Sequence, residues 1–190
     1  MLSRLENIDL ALFKIINIDW SCRSLDSVMP LFTDQTGGML VILAFFLCFA
    51  VFGRRNGRVA VAAALVTVVI IDPVGHYLLK PLFARARPCH LEIGRLLVDC
   101  GTGFAMPSLH SANSFGVFTP FVVRFRWKAA PLYLLSFIVA YSRVYVGVHW
   151  PADVLIGAAY GVTIGLVVAF LSEWVIDKKI KPGNNAKKKQ

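Results

Sequence analysis

Long apolar runs alternate with short polar connections along this chain, and five of the runs, residues 36–52, 59–79, 107–123, 129–147 and 153–176, approach the length of a membrane span. A helix needs roughly 20 apolar residues to cross the hydrocarbon core of a bilayer, so each run is predicted as a spanning helix. The first 35 residues are more polar. Within them Leu5, Ile8, Leu12, Ile15 and Ile16 recur at helical spacing, with Glu6, Asp9 and Lys14 off the stripe. That pattern predicts a helix lying in the membrane interface; the alternative is a sixth, poorly apolar span that reverses the side of the N-terminus. The expected fold class is all-α: a polytopic membrane bundle of five to six helices, with an interfacial segment over 1–35, a spanning core over 36–176 and a basic tail over 177–190.

Composition strengthens this picture. Of 190 residues, 57% are hydrophobic and 16% charged, and the mean hydropathy is +0.65. Such a balance excludes a secreted mini-protein, a disordered chain and a nucleic-acid-binding domain. The net charge of +9 comes from 20 basic against 11 acidic residues, but the basic residues sit in clusters between the apolar runs. Arg54, Arg55 and Arg58 fill the first connection, and Arg124, Arg126 and Lys128 the third. Lys178, Lys179, Lys181, Lys187, Lys188 and Lys189 fill the tail. The positive-inside rule makes that side cytoplasmic. The other side then holds residues 1–35, the connection from about 80 to 106, and the link 148–152. Its first segment is acidic, with Arg4, Lys14 and Arg23 against Glu6, Asp9, Asp19, Asp26 and Asp34. Trp20 and Trp150 fit the outer interface, Trp127 and Trp174 the inner one. The opening residues lack the three-part pattern of a cleavable signal peptide.

Cys48 lies within a span and reads as a small core residue. Cys89 and Cys100 share the outer connection, where an oxidising compartment would allow a disulfide between them, with Cys22 as a competing partner. No Cys–His spacing resembles a zinc site.

Three short outer stretches carry candidate chemistry. Lys80 to Pro88 places Lys80, Arg85 and Arg87 directly after the second span; alone, such cations could serve only to neutralise lipid headgroups. Pro107, Ser108, Leu109 and His110 open the third span, and a helix start with free backbone N–H groups is a ready anion site. Here the bland alternative is that Ser108 caps the helix and His110 packs beside it. Ser142 and Arg143, then His149 and Asp153, form the third stretch. Arg143 near the end of an apolar span calls for an anionic partner. Asp153, in the first turn of a helix begun by Pro151, can bond one ring nitrogen of His149 and leave the other free. A His–Asp pair at this spacing is also common as a purely structural bond.

Together the stretches read K-x6-RP, PS-x-H and SR-x5-H-x3-D. This pattern resembles the three-part signature of the type 2 phosphatidic acid phosphatase family, membrane lipid phosphatases whose site is shared by vanadium haloperoxidases. The resemblance implies that His149 attacks phosphorus to give a phosphohistidine, that Asp153 holds its ring, and that His110 protonates the leaving group and then activates water. It implies that Lys80, Arg87, Ser108, Arg143 and the Leu109 amide hold the phosphoryl oxygens, since fixed cations and N–H dipoles stabilise the charge spread over those oxygens. Leu109 stands where the family usually has glycine; its amide still supplies a donor, but the tightness of approach is in question.

Three cations in place of magnesium, and no acidic cluster suited to holding that ion, imply a reaction without metal or other cofactor. The implied partners are a lipid phosphate or pyrophosphate and the surrounding membrane lipids, with no nucleic acid. Chain length and resemblance favour undecaprenyl pyrophosphate. Phosphatidylglycerophosphate, phosphatidic acid, diacylglycerol pyrophosphate and lipid A 1-phosphate offer similar headgroups, and transfer to another lipid is a further alternative. A different class of reading is an anion vestibule in a transporter or a non-catalytic lipid-binding protein. The gathering of polar groups at one face favours surface chemistry. Nearby, Asp72 and His76 read as a structural pair in a proline-broken helix, Arg85 as a contact to substrate or headgroups, and Tyr145 as packing or an interface anchor.

Overall fold

The computed structural model describes residues 2–180, and among these the regular elements are all helices, with no strand and an irregular connection over 92–108. Lys181, Lys187, Lys188 and Lys189 of the predicted basic tail lie outside the described residues. The helices are α1 (Leu2–Lys14), α2 (Arg23–Thr33), α3 (Gln35–Phe52), α4 (Arg54–Pro73), α5 (Lys80–Phe83), α6 (Leu109–Phe125), α7 (Leu132–Tyr145) and α8 (Pro151–Ile180). A π-helical segment, Val74–Leu79, joins α4 to α5. The five predicted spans fall on α3, α4 with its π continuation, α6, α7 and α8. By length and composition Arg54–Leu91 and Pro151–Ile176 can each cross a membrane alone; α2 with Gly37–Phe52 forms a third candidate, bent by 59°. The helix α7 is a shorter apolar one. Large apolar side chains such as Phe52, Leu65, Val69, Phe137, Leu155 and Phe170 are exposed around the bundle, an outward-facing apolar surface suited to lipid rather than water.

Between apolar helices in lipid, close packing rather than water exclusion drives association, and small residues permit it. Helices α6 and α8 use this device. Gly157, Gly161 and Gly165 recur every fourth residue on α8, so they share one face. A Cβ at Gly157 would collide with the backbone of Ser108, one at Gly161 with the backbone of Ala112, and one at Gly165 with Gly116 and Thr119. The two helix starts are bonded as well. Ser108 N–H donates to the Asp153 carbonyl at 3.0 Å, and the Ser111 hydroxyl to the Val154 carbonyl at 2.7 Å. At the opposite end, Phe46, Phe118 and Phe121 are buried together, with Phe45, Phe49 and Phe125 packed around them.

Polar contacts set the orientation of the N-terminal segment. Leu5, Ile8 and Leu12 are exposed, while Asp9, Phe13 and Asn17, one helical turn apart, are buried. Leu5, Ile8 and Leu12 therefore face away from the protein, whereas Ile16 at the end of the stripe packs inward with the mixed face. Asn17 makes the reason plain: its side chain donates to the carbonyls of Arg95 (2.9 Å) and Tyr145 (2.7 Å) and accepts from the Arg95 amide (2.6 Å). A buried amide is stable only with such partners. Asp26 adds an ion pair to Arg95 (2.5 Å) and accepts the Tyr145 hydroxyl (2.7 Å). Tyr145 is fully buried and acts in packing, as its position suggested.

Replacing Gly161 by valine should force α6 and α8 apart at the cost of overpacking, about 1–3 kcal/mol. The expected outcome is a lower unfolding temperature in detergent for Gly161→Val than for Thr163→Val on the exposed side of the same helix; equal unfolding temperatures would contradict the close approach.

Candidate active site

The α6–α8 contact brings two of the three sequence stretches together, and local geometry completes each. Ser108, extended at φ −72° and ψ 111°, precedes α6, so Leu109 and His110 form its first turn. Pro151 opens α8 and places Asp153 in its first turn, where one carboxylate oxygen accepts the Trp150 amide at 2.8 Å. Between α7 and α8 the chain folds back on itself. The amides of Val148 and His149 both reach the Arg143 carbonyl at 3.3 Å, and Gly147 takes a positive φ of 89° beside the Arg95 carbonyl. The five-residue gap between Arg143 and His149 is thus one tight turn that sets both side chains toward one cleft.

The third stretch enters from the end of the π segment. Lys80 is buried, and its ammonium donates to the Phe104 carbonyl. Arg87 spends its Nε on the Gly103 carbonyl at 2.8 Å. Both carbonyls lie just beyond Cys100, which a disulfide ties to Cys89; Cys22 is an exposed free thiol. Cys89, His90 and Cys100 could present ligand atoms to a metal within 4.8 Å of one another, but both sulfurs are engaged with each other.

A cleft of about 840 Å³ opens onto Lys80, Arg87, Leu109, His110, Arg143 and His149, with Leu31, Val98 and Asp99 among its walls. At its base His149 is 2% exposed and its Nδ1 lies 3.4 Å from a carboxylate oxygen of Asp153, which is 0% exposed. Burial, followed by the positive charges of Arg143, Arg87 and Lys80, holds the His149 pKa well below the ordinary imidazole value, while the Ala105 carbonyl acts in the opposite direction. The ring is therefore neutral, with a lone pair to offer. Arg143 makes only a 3.5 Å contact to the Thr33 carbonyl, and its buried Nε has no hydrogen-bond partner. The buried Ser108 hydroxyl is likewise unpartnered. Unsatisfied buried donors are costly, and an anion is the natural remedy.

The structure thus brings Lys80, Arg87, Leu109, His110, Arg143 and His149 to one cleft, with Asp153 behind His149 and Ser108 beside Asp153. Several local expectations need correction. The Ser108 amide is not free for an anion, because Asp153 takes it, and its hydroxyl does not cap the helix. The Asp72 carboxylate accepts from Asn113 at 2.7 Å rather than pairing with His76, which instead lines the cleft. Arg85 does not point to headgroups: it pairs with Asp153 at 2.9 Å and with Asp9 at 2.5 Å. The sequence pattern shows Asp9 only as a polar residue off an apolar stripe. Its four-residue spacing to Phe13 and Asn17 was the available signal.

A membrane bundle with histidines and cations converging on one cleft defines a class of phosphate-handling membrane proteins. The chain belongs to the PAP2 superfamily, which matches over residues 59–177. It is 35% identical over 120 residues to a lipid A 4′-phosphatase of Bacteroides thetaiotaomicron, covering 59% of this chain and 53% of that protein. With the undecaprenyl-diphosphatase BcrC of Bacillus subtilis it shares 28% identity over 145 residues, covering 75% and 72%. The crystal structure of Aquifex aeolicus LpxE superposes with a TM-score of 0.67 at 27% identity, over 84% of this chain and 93% of that one. The chain spans about half the length of the lipid A 4′-phosphatase it matches.

The depressed His149 pKa has a consequence for stability. In the unfolded chain the imidazole takes a proton below about pH 6.5, whereas in the folded chain it resists one. Its contribution is complete above that pH and is lost as pH falls, at up to about 1.4 kcal/mol per pH unit. The unfolding temperature in detergent is expected to drop between pH 7 and pH 5, and less steeply in His149→Gln. Parallel curves for the two proteins would contradict a neutral buried imidazole.

Proposed function

We propose that this chain is a membrane lipid phosphatase that hydrolyses a lipid phosphate or pyrophosphate through a phosphohistidine on His149. The observation that carries the reading is the convergence of Lys80, Arg87 and Arg143 on a cleft shared by two histidines, one of them backed by a buried carboxylate. In this reading the phosphoryl group lies among the three cations, with the unpartnered Arg143 Nε, the Ser108 hydroxyl and the Leu109 amide as further donors. His149 uses the nitrogen away from Asp153 to form the N–P bond as the bond from phosphorus to the leaving oxygen breaks. His110 gives its proton to that oxygen. It then takes a proton from water, which attacks phosphorus, breaks the N–P bond and releases orthophosphate. The charge on the phosphorylated ring is balanced by Asp153, and the equatorial oxygens by the cations. This chemistry is written with protein groups alone, without a metal or cofactor.

The cleft is placed at the extracytoplasmic edge of the membrane, with the C-terminus cytoplasmic, on the strength of the basic clusters between spans. Among substrates we favour undecaprenyl pyrophosphate. Similarity to the undecaprenyl-diphosphatases extends over most of both chains, as with BcrC of Bacillus subtilis at 75% and 72% coverage. The higher but shorter identity to the lipid A 4′-phosphatase supports a second reading, a lipid A phosphate.

Purified full-length protein in detergent, given undecaprenyl pyrophosphate, phosphatidylglycerophosphate, phosphatidic acid and lipid A in parallel, is predicted to release phosphate fastest from the first, with EDTA present. His149→Ala should lower turnover by roughly 10³-fold or more while retaining substrate binding. Turnover preserved in that variant would overturn the reading, and a preference for lipid A would select the second substrate.

A further inference from the structure

Behind His149 lies a charge network anchored outside the residues that match the superfamily. Helix α1 carries Asp9 and Phe13 one turn apart, so both side chains leave the same face. Phe13 packs on the Trp150 ring with centroids 5.1 Å apart. Asp9, 6% exposed, divides its two oxygens. One accepts the Ala152 amide at 2.8 Å, in the first turn of α8, and the other meets Arg85 Nη2 at 2.5 Å. Arg85 Nη1 holds one oxygen of Asp153 at 2.9 Å, and the guanidinium lies 5.2 Å from the Trp150 ring centroid. The other Asp153 oxygen is the one facing His149 Nδ1.

We propose that Asp9 is a positioning residue for His149: by fixing and neutralising Arg85, it leaves Asp153 a full negative charge for the imidazole. The inference rests on the phosphatase reading above. Asp153 and Arg85 alone sum to zero, so His149 would face Lys80, Arg87 and Arg143 with no net anion behind it. With Asp9 the trio carries one negative charge. That charge matters most when the ring is phosphorylated, because the ring then carries a positive charge with its proton on the nitrogen facing Asp153. In a buried site such a charge acts through a low dielectric and is screened little. Geometry adds to sign, since a planar fork gripped by a carboxylate on each side holds Asp153 in one rotamer. Asp9 touches neither substrate nor reacting atoms, so its effect should appear in the chemical step rather than in binding.

The test compares kcat and KM for phosphate release by full-length wild type, Asp9→Asn, Asp9→Glu, Arg85→Gln and the Asp9→Asn/Arg85→Gln pair, on whichever lipid in the panel the wild type turns over best. Asp9→Asn is expected to lower kcat about tenfold, the scale of a lost partner behind a functional histidine, with KM within about twofold. Asp9→Glu should recover most of that loss. In the Arg85→Gln background, where no cation remains to neutralise, Asp9→Asn should cost less than about twofold. A kcat for Asp9→Asn within twofold of wild type, an equal loss in both backgrounds, or a change confined to KM would overturn the proposal. Failure of Asp9→Asn to fold would equally overturn it by making Asp9 structural. An inactive wild type would overturn the phosphatase reading itself and the role of Asp9 with it.

Discussion

The close approach of α6 and α8 is the constraint on which the rest depends. Glycines at every fourth position of α8 let the two backbones meet, so that Ser108 bonds Asp153 and Ser111 bonds Val154 at the mouth of the pair. His110 and Asp153 are then held in first turns of two joined helices, and His149 in the tight turn that leads into one of them. Rigid elements rather than loops carry these groups, which is how a site keeps sub-ångström order in a bundle with little water-driven cohesion. Lys80 and Arg87 come from elsewhere. Their positions are set by the carbonyls of Phe104 and Gly103, in the segment that follows the Cys89–Cys100 bridge.

Gathering three cations around buried imidazoles is unfavourable in isolation. The site offsets this only in part from within: Lys80 and Arg87 each donate to a carbonyl, whereas Arg143 has a long contact and an unpartnered Nε. The carboxylate behind the His149 ring, Asp153, is turned to His149 and Arg85. A phosphoryl group with several negative oxygens fits that imbalance. Burial first, and the same positive field second, hold the His149 pKa below the ordinary imidazole value. Membership of the PAP2 superfamily agrees with this arrangement.

Much of this was legible in the sequence because it is local. Apolar run lengths locate the helices that become α3, α4, α6, α7 and α8, and the spacing from Arg143 to His149 to Asp153 encodes a turn and a helix start. What was not legible depends on contacts between distant segments. Asp9 reaches Ala152 and Arg85 across the fold, and Asn17 reaches Arg95 and Tyr145; nothing in the local pattern names those partners. The amphipathic stripe of α1 was readable, but its direction was not. Beside a membrane an apolar stripe has lipid as a second place to go, so Leu5, Ile8 and Leu12 turn outward and the polar Asp9 and Asn17 turn in. The glycines at 157, 161 and 165 of α8 gain their meaning only from the collision with Ser108 and Ala112, which reveals the helix they admit.

The central claim is that a neutral, carboxylate-backed His149 takes the phosphoryl group before water does. Rapid-quench mixing of the protein with a lipid substrate labelled in its terminal phosphate, followed by peptide mapping under alkaline conditions that preserve phosphohistidine, tests it most directly. The account predicts a transient, acid-labile phosphoryl group on the peptide containing His149, formed no more slowly than turnover and absent from His149→Ala. Turnover with no phosphorylated peptide, under conditions that detect a phosphohistidine standard and in a variant of His110 that slows hydrolysis, would contradict it.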